Sequence, residues 1–178
     1  MKTVKYRLFM AWEHEEEEQW LAEMESQGWH LTDVFWIRYQ FEKGEANKYQ
    51  YRLEMLPEVP SHPKSQEYIQ FIEDTGAEMI GSYLKWVYFR KKNDGSKFEI
   101  YSDADSKLKH FKRIYKLLTT LMIVLSAILV MDYALCIADN SFSILVLIPT
   151  IVAVALMQGV YKIKNKIKKL EEEKGVYE

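Results

Sequence analysis

Apolar and polar positions alternate in some stretches of the first hundred residues and recur at helical spacing in others. In "VKYRLFMAW" (4–12), Val4, Tyr6, Leu8 and Met10 fall on one side, with Lys5 and Arg7 opposite, which is the period of a strand. "EHEEEEQWLAEMESQGW" (13–29) changes period: Trp20, Leu21 and Met24 make a helical stripe, and glutamates crowd the first turn, where the helix dipole favours them. Gly28 stands where a left-handed helix end belongs. "FWIRYQF" (35–41) alternates again, with Phe35, Ile37, Tyr39 and Phe41 on one face and Trp36 and Arg38 on the other. It is read as one strand.

The pattern then returns. "KYQYRLEM" (48–55) echoes "VKYRLFM" (4–10) and aligns Tyr6-Arg7-Leu8 with Tyr51-Arg52-Leu53. Residues 68–91 match 20–43 at a constant offset of 48, so that Trp20 meets Tyr68, Gly28 meets Gly76 and Phe41 meets Phe89. The proline-bearing "LPEVPSHPKS" (56–65) is the loop between strand and helix, and "KFEIYS" (97–102) is read as a further short strand. Two β-α-β halves in this order predict an α+β fold over residues 1–102, a ferredoxin-like split βαβ sandwich with helices on one face of a four-stranded antiparallel sheet. The covered face is expected to hold Tyr6, Leu8, Tyr39, Phe41, Tyr51, Leu53, Val87 and Phe89. The opposite face would then be bare and would display Arg7, Phe9, Trp36, Arg38, Gln40, Arg52, Trp86, Tyr88 and Arg90. Aromatic rings interleaved with guanidinium groups are the composition of a protein-binding surface, so Arg7, Trp36, Arg38, Arg52, Trp86 and Tyr88 are the candidate contact residues. A fifth strand, the juxtamembrane helix or a second copy of the chain is the competing cover for that face.

Beyond residue 102 the hydropathy pattern changes completely. Residues 117–138 form a 22-residue run with one charge, Asp132, and residues 142–161 form a 20-residue run with none. At about 1.5 Å per residue each is long enough to cross a hydrocarbon core of about 30 Å, so a two-helix transmembrane hairpin is predicted. Between the two compartments lies a basic juxtamembrane helix (103–116) with an Asp-rich start suited to capping; a charged tail (162–178) follows the second span. Lys107, Lys109, Lys112, Arg113 and Lys116 precede the first span, and Lys162, Lys164, Lys166, Lys168 and Lys169 follow the second. The connecting Asp139-Asn140-Ser141 has no basic residue. By the positive-inside rule both termini are expected to be cytoplasmic, with Lys109, Lys112, Arg113, Lys116, Lys162 and Lys166 at the lipid headgroups of the cell membrane. The first residues alternate and lack an apolar core of the kind a signal peptide carries. Asp132 lies near the outer end of the first span, at a depth comparable to Leu147–Thr150 in an antiparallel pair. Asp132 and Thr150, with Pro149 loosening the second helix, are therefore candidate intramembrane polar groups.

Charge and motifs remove most chemistries. Residues 1–102 carry 13 Lys and Arg against 18 Asp and Glu, a net of -5, which opposes nucleic-acid binding despite an aromatic sheet. The one cysteine, Cys136, sits in an apolar run, which excludes disulfide frameworks and cysteine-based zinc sites. His14 and Glu18 share a helical face, but glutamate runs at helix starts are as a rule solvated. The four histidines (14, 30, 62 and 110) show no ligand spacing, and no phosphate loop, nucleophile elbow or zinc-binding helix motif appears. No catalytic, metal or cofactor-binding residue is assigned, and the chain is not read as an enzyme.

"YRLFMAW", "EEEQWLAEMESQGWHL", "YQFEKG…YQYRLEM", "VYFRKK" and "EIYSDADSKLKHFKRI" together resemble the family catalogued as domain of unknown function 2812, over roughly residues 4–115. The resemblance implies a membrane-anchored protein of Gram-positive bacteria with a pair of membrane helices. It also implies genes often beside PadR-like transcriptional regulators and sometimes near transport genes; it carries over no catalytic residue. The expected function is a membrane-anchored sensor or regulator whose cytoplasmic domain binds a protein such as a PadR-like regulator and responds to membrane-active compounds or envelope stress. The alternative is an accessory or structural subunit of a membrane transporter.

Overall fold

The computed structural model describes residues 1–101, 103–138 and 146–176. They form two compact units, Met1–Ser106 and Lys107–Glu178. In the first, β1 (Lys2–Tyr6) leads through a single 3-10 turn (Ala11–Glu13) into α1 (His14–Ser26), followed by β2 (Trp29–Phe35) and β3 (Arg38–Lys43). The second half repeats this order with β4 (Tyr49–Met55), α2 (Pro63–Glu73), β5 (Ala77–Tyr83) and β6 (Trp86–Lys92). The α+β class and the internal repeat are as expected. The strands, however, are shared between two antiparallel sheets of three, ordered β1-β3-β2 and β4-β6-β5, where the sequence suggested one sheet of four. The difference comes from "FWIRYQF", which is a hairpin tip: Phe35 ends β2 opposite Arg38, and Trp36-Ile37 is a two-residue turn. Each repeat is therefore β-α-β-β.

The offset of 48 extends to fine geometry. Gly28 and Gly76 both have positive φ, 75° and 86°. A bulge lies between Leu31 and Asp33 in β2, and another between Met79 and Gly81 in β5. Trp36 and Leu84 open the two hairpin turns with φ of 53° and 54°. Only the first strand breaks the sequence alignment: Tyr6 lies opposite Arg38 and Tyr51 lies opposite Arg90, so the "YRL" echo is not in structural register.

Two cores follow from this arrangement. Leu21 and Met24 of α1 sit among Leu31, Val34, Tyr39 and Phe41 of the first sheet and Tyr51, Leu53 and Tyr88 of the second. The helix is thus packed between the sheets. The other face of the second sheet, with Ala77, Val87 and Phe89, is covered by Ile69 and Ile72 of α2 and by Leu56 and Phe98. Each fully buried large side chain contributes about 2 kcal/mol. Residues 97–101 are not a strand: Phe98 plugs the second core and its N–H donates to Gln50 Oε1 at 2.9 Å. The helix α2 begins earlier than its periodicity suggested, because His62 Nδ1 accepts from the Lys64 N–H and Pro63 occupies the first turn. At the junction of the sheets, Gly81 lets β5 approach β2; a Cβ there would stand 2.7 Å from Val34 Cγ1.

In the second unit, α3 (Ala104–Ala138) and α4 (Leu147–Val176) are both long and apolar enough to cross a membrane. The Tyr133 hydroxyl lies 3.4 Å from Thr150 Oγ1, Lys112 pairs with Glu171 at 2.8 Å, and Lys166 stands over the Phe111 ring. Contacts at both ends make the pair antiparallel. The segment after the second span is helical through this contact, with Ile163 buried, and is not a loose tail. The connection Asp139-Asn140-Ser141, residues 142–145 of the second expected span, Ser102 and residues 177–178 lie outside the described residues.

The two repeat-equivalent glycines are predicted to respond differently to alanine. At Gly76 only the left-handed backbone is penalised, since the nearest atom to an added Cβ is Lys91 Cε at 4.0 Å; the cost is about 1 kcal/mol. At Gly28 the Cβ would also meet the Gly44 carbonyl oxygen at 2.6 Å, raising the cost to about 3 kcal/mol. Thermal unfolding of the full chain in detergent micelles measures both, and equal losses would contradict this packing.

Candidate binding face

The helix between the sheets turns carboxylates inward. Glu17 Oε1 accepts from the Tyr39 hydroxyl at 2.6 Å and from the Tyr88 hydroxyl at 2.7 Å, so one side chain ties β3 to β6. Glu18 Oε1 accepts from the Leu53 N–H at 2.7 Å, with the Arg52 guanidinium 3.7 Å away. Glu25 accepts from the Tyr51 hydroxyl at 2.7 Å and from the N–H groups of Lys48 and Tyr49 at 3.0 and 3.1 Å, and it pairs with His30 Nδ1 at 2.8 Å. Glu17 and Glu18 belong to the glutamate run that was expected to be solvated. Neither is, because a helix flanked by two sheets leaves few of its turns in water. Burial raises Glu17 above the ordinary carboxylate range against its two tyrosine hydrogen bonds. It raises Glu18 to about 7 against the Leu53 N–H and Arg52. The same burial, together with Glu17, pushes Tyr39 and Tyr88 upward.

Half of the expected contact residues are drawn partly or wholly out of solvent around this helix. Tyr88 is 5% exposed and committed to Glu17. Trp86 is half-buried with its ring centroid 5.5 Å from that of His14. Arg52 is half-buried beside Glu18, and Arg90 is held by Glu78 at 2.9 Å and by the Leu31 carbonyl at 3.2 Å. Arg52, Trp86 and Tyr88 therefore form no open face, since the second sheet is covered on both sides. Phe9 is likewise drawn in, against Trp20 and Tyr39. Arg7 is exposed and stacks its guanidinium 4.8 Å from the Phe9 centroid and 5.2 Å from that of Trp20.

Among the described residues of the first unit, the first sheet has a cover on one side only. Its other side presents two rows across the strands: Tyr6, Arg38 and Phe35, then Val4, Gln40 and Asp33. Leu8, expected in the core, is exposed beyond the end of β1, and Tyr6, expected there with Val4 on its side of the strand, is exposed together with Val4. Because Val4 and Tyr6 pair opposite Gln40 and Arg38, they share the outward face of those residues. The corresponding rows of the second sheet, Met55-Trp86-Tyr83 and Leu53-Tyr88-Gly81, lie on the side that α1 covers. On the bare face Asp33 accepts from Gln40 Nε2 at 2.8 Å and attracts Arg38 at 3.7 Å. At its end the two hairpin tips meet, with Phe35 and Tyr83 edge to face at 5.7 Å. Phe35, Trp36 and Leu84 are 61%, 55% and 69% exposed there. Rings beside a guanidinium, with no nucleophile or acid–base pair among them, suit this surface to binding. The sequence signal missed was the pairing partner of β1, which period-two alternation does not specify.

The remaining candidates lie in the second unit. Thr150 donates to the Val146 carbonyl at 2.8 Å, and its neighbour across the helix pair is Tyr133, one residue beyond the half-buried Asp132. Lys109 and Lys116 are exposed, while Arg113 and Lys162 are half-buried. Lys112 and Lys166 have the intrachain contacts with Glu171 and Phe111 already described. Among the described residues no group of three or more His, Cys, Asp or Glu is arranged to hold a metal ion.

The raised carboxyls set a pH dependence. A carboxyl favoured in its protonated form by the fold contributes stability below its unfolded value near 4.5 and loses that contribution as pH rises through about 7. For Glu18 the loss is on the order of 3 kcal/mol. The unfolding midpoint of the full chain is expected to fall across this window. Glu18→Gln, which keeps an acceptor for the Leu53 N–H, is expected to flatten the profile; an unchanged slope would refute this assignment.

The comparisons with known proteins come from one side only. A family described as a protein of unknown function (DUF2812) matches residues 13–123, which takes in α1, both sheets beyond β1 and the first part of α3. No curated protein and no solved structure matches the chain. With most of its length covered by that match, the chain belongs to the DUF2812 family of proteins of unknown function.

Proposed function

We propose that the chain is a membrane-anchored regulatory protein whose first unit binds a cytoplasmic protein on the bare face of its first sheet. The observation that carries the reading is the asymmetry between repeats. The face of the second sheet is filled by α1, whereas its counterpart, with Tyr6, Arg38 and Gln40, has no cover among the described residues of the first unit, and Tyr6 there is 70% exposed. Exposed rings beside arginines are common anchors of protein interfaces. The basic residues that flank the two apolar runs, read by the positive-inside rule, support a cytoplasmic location of both termini. The partner class is a transcriptional regulator of the PadR-like kind implied by the family resemblance, held at the membrane until envelope stress or a membrane-active compound changes access to the face.

A second reading, an accessory subunit of a membrane transporter, is favoured by the outward apolar side chains of α3. Ile123, Val130 and Ile137 are all exposed along it and need lipid or another protein's helices around them.

The test is capture of a PadR-like regulator by the full-length protein in native membranes. Tyr6→Ala combined with Arg38→Ala is expected to weaken retention about tenfold, while Lys64→Ala on α2 leaves it unchanged. Equal retention by all three would sink the regulator reading. A partner lost only when the spans are replaced by unrelated ones would favour the transporter subunit.

A further inference from the structure

We propose that the two hairpin tips, Phe35-Trp36 and Tyr83-Leu84, form one apolar foot that rests in the interfacial layer of a lipid bilayer. The proposal rests on the membrane-anchored reading above and supplies its regulation. Two-residue hairpin turns normally carry Gly, Asn or Asp where φ is positive, because a bulky L side chain in that region costs about 1–2 kcal/mol. Here the positions hold Trp36 and Leu84, at φ of 53° and 54°. The same penalty is thus accepted twice, at sites related by the repeat. Packing does not account for it, since Trp36 is 55% and Leu84 69% exposed. The tips also touch through Phe35 and Tyr83, so they act as a single surface.

Their composition selects the occupant. Tryptophan, tyrosine, phenylalanine and leucine, backed by one cation in each repeat, are the chemistry of the membrane–water interface. Arg38 is kept near Asp33 at 3.7 Å and Lys85 near Glu58 at 3.8 Å, each next to a tip in the chain and available to headgroups. The same chain carries two helices able to cross a membrane, so a bilayer is the surface the foot meets at the highest effective concentration. A seated foot shields Arg38 and Tyr6, which share a row with Phe35. Lifting it frees the protein-binding face.

The experiment uses the full chain in vesicles of equimolar phosphatidylglycerol and phosphatidylethanolamine, with Cys136→Ala and an environment-sensitive fluorophore on a single new cysteine. Leu84→Cys and Phe35→Cys report the tips, and Gln70→Cys on the exposed side of α2 is the reference. The tip labels are expected to emit to the blue of the reference and to lose roughly half of their emission with lipids brominated near the headgroup. The reference label is expected to be unaffected. Adding Trp36→Glu to Leu84→Cys should abolish the quenching. Tip emission equal to the reference overturns the proposal, and so does a blue shift without quenching, which would put protein over the tips. Flotation of the chain with the vesicles reports anchoring separately, and capture of the regulator reports the protein-binding face.

Discussion

A single carboxylate shared between two tyrosines holds the first unit together. Glu17 receives hydroxyls from both sheets, and neither sheet could be moved away from α1 without leaving a buried charged or polar group unmatched. Removing one partner from such a buried network costs more than the net worth of the bond, because the survivor keeps its full desolvation penalty. Glu18 and Glu25 apply the same constraint further along the helix, through backbone N–H groups of β4 and of the turn before it. The helix is therefore located by polar contacts as much as by Leu21 and Met24.

That constraint also explains why the repeats diverge in use while agreeing in geometry. The first helix is packed between two sheets and the second against one, so among the described residues of the first unit the second sheet is covered on both faces and the first sheet on one. Glycine caps, bulges and turn strain are conserved between the halves because each is internal to a β-α-β-β unit. Exposure is not conserved, because it depends on which neighbour the unit has. Tyr6 and Met55 hold equivalent positions, opposite Arg38 and Trp86; Tyr6 is 70% exposed and Met55 6%.

Much of this was legible in the sequence. Gly28 marked a helix end, the spacing of 48 marked a duplication, and the long apolar runs marked helices able to cross a membrane. The partition into two sheets was hidden because Trp36-Ile37 and Leu84-Lys85 lack the Gly, Asn or Pro that announces a tight turn. The orientation of Val4 and Tyr6 was hidden because alternation gives parity without naming a partner, and β1 chose the register opposite Arg38 and Gln40. The buried glutamates were unreadable for a related reason: composition counts them as surface, and only the tyrosines that arrive from distant strands make their burial tolerable. Arg7 and Trp36 are exposed and Arg38 is half-buried, but they make no single strand face, since Arg7 follows β1 and Trp36 sits in the hairpin turn; Arg52, Trp86 and Tyr88 are drawn in by a helix packed between two sheets.

The left-handed turns have one more implication. A directed-evolution campaign selecting only for heat resistance would be drawn to Trp36 and Leu84, where glycine or asparagine relieves backbone strain at no loss of core packing. Winners of such a screen would be sturdier molecules with blunted tips. If natural selection has kept those two bulky residues in place, it has favoured what they touch over how firmly the chain folds.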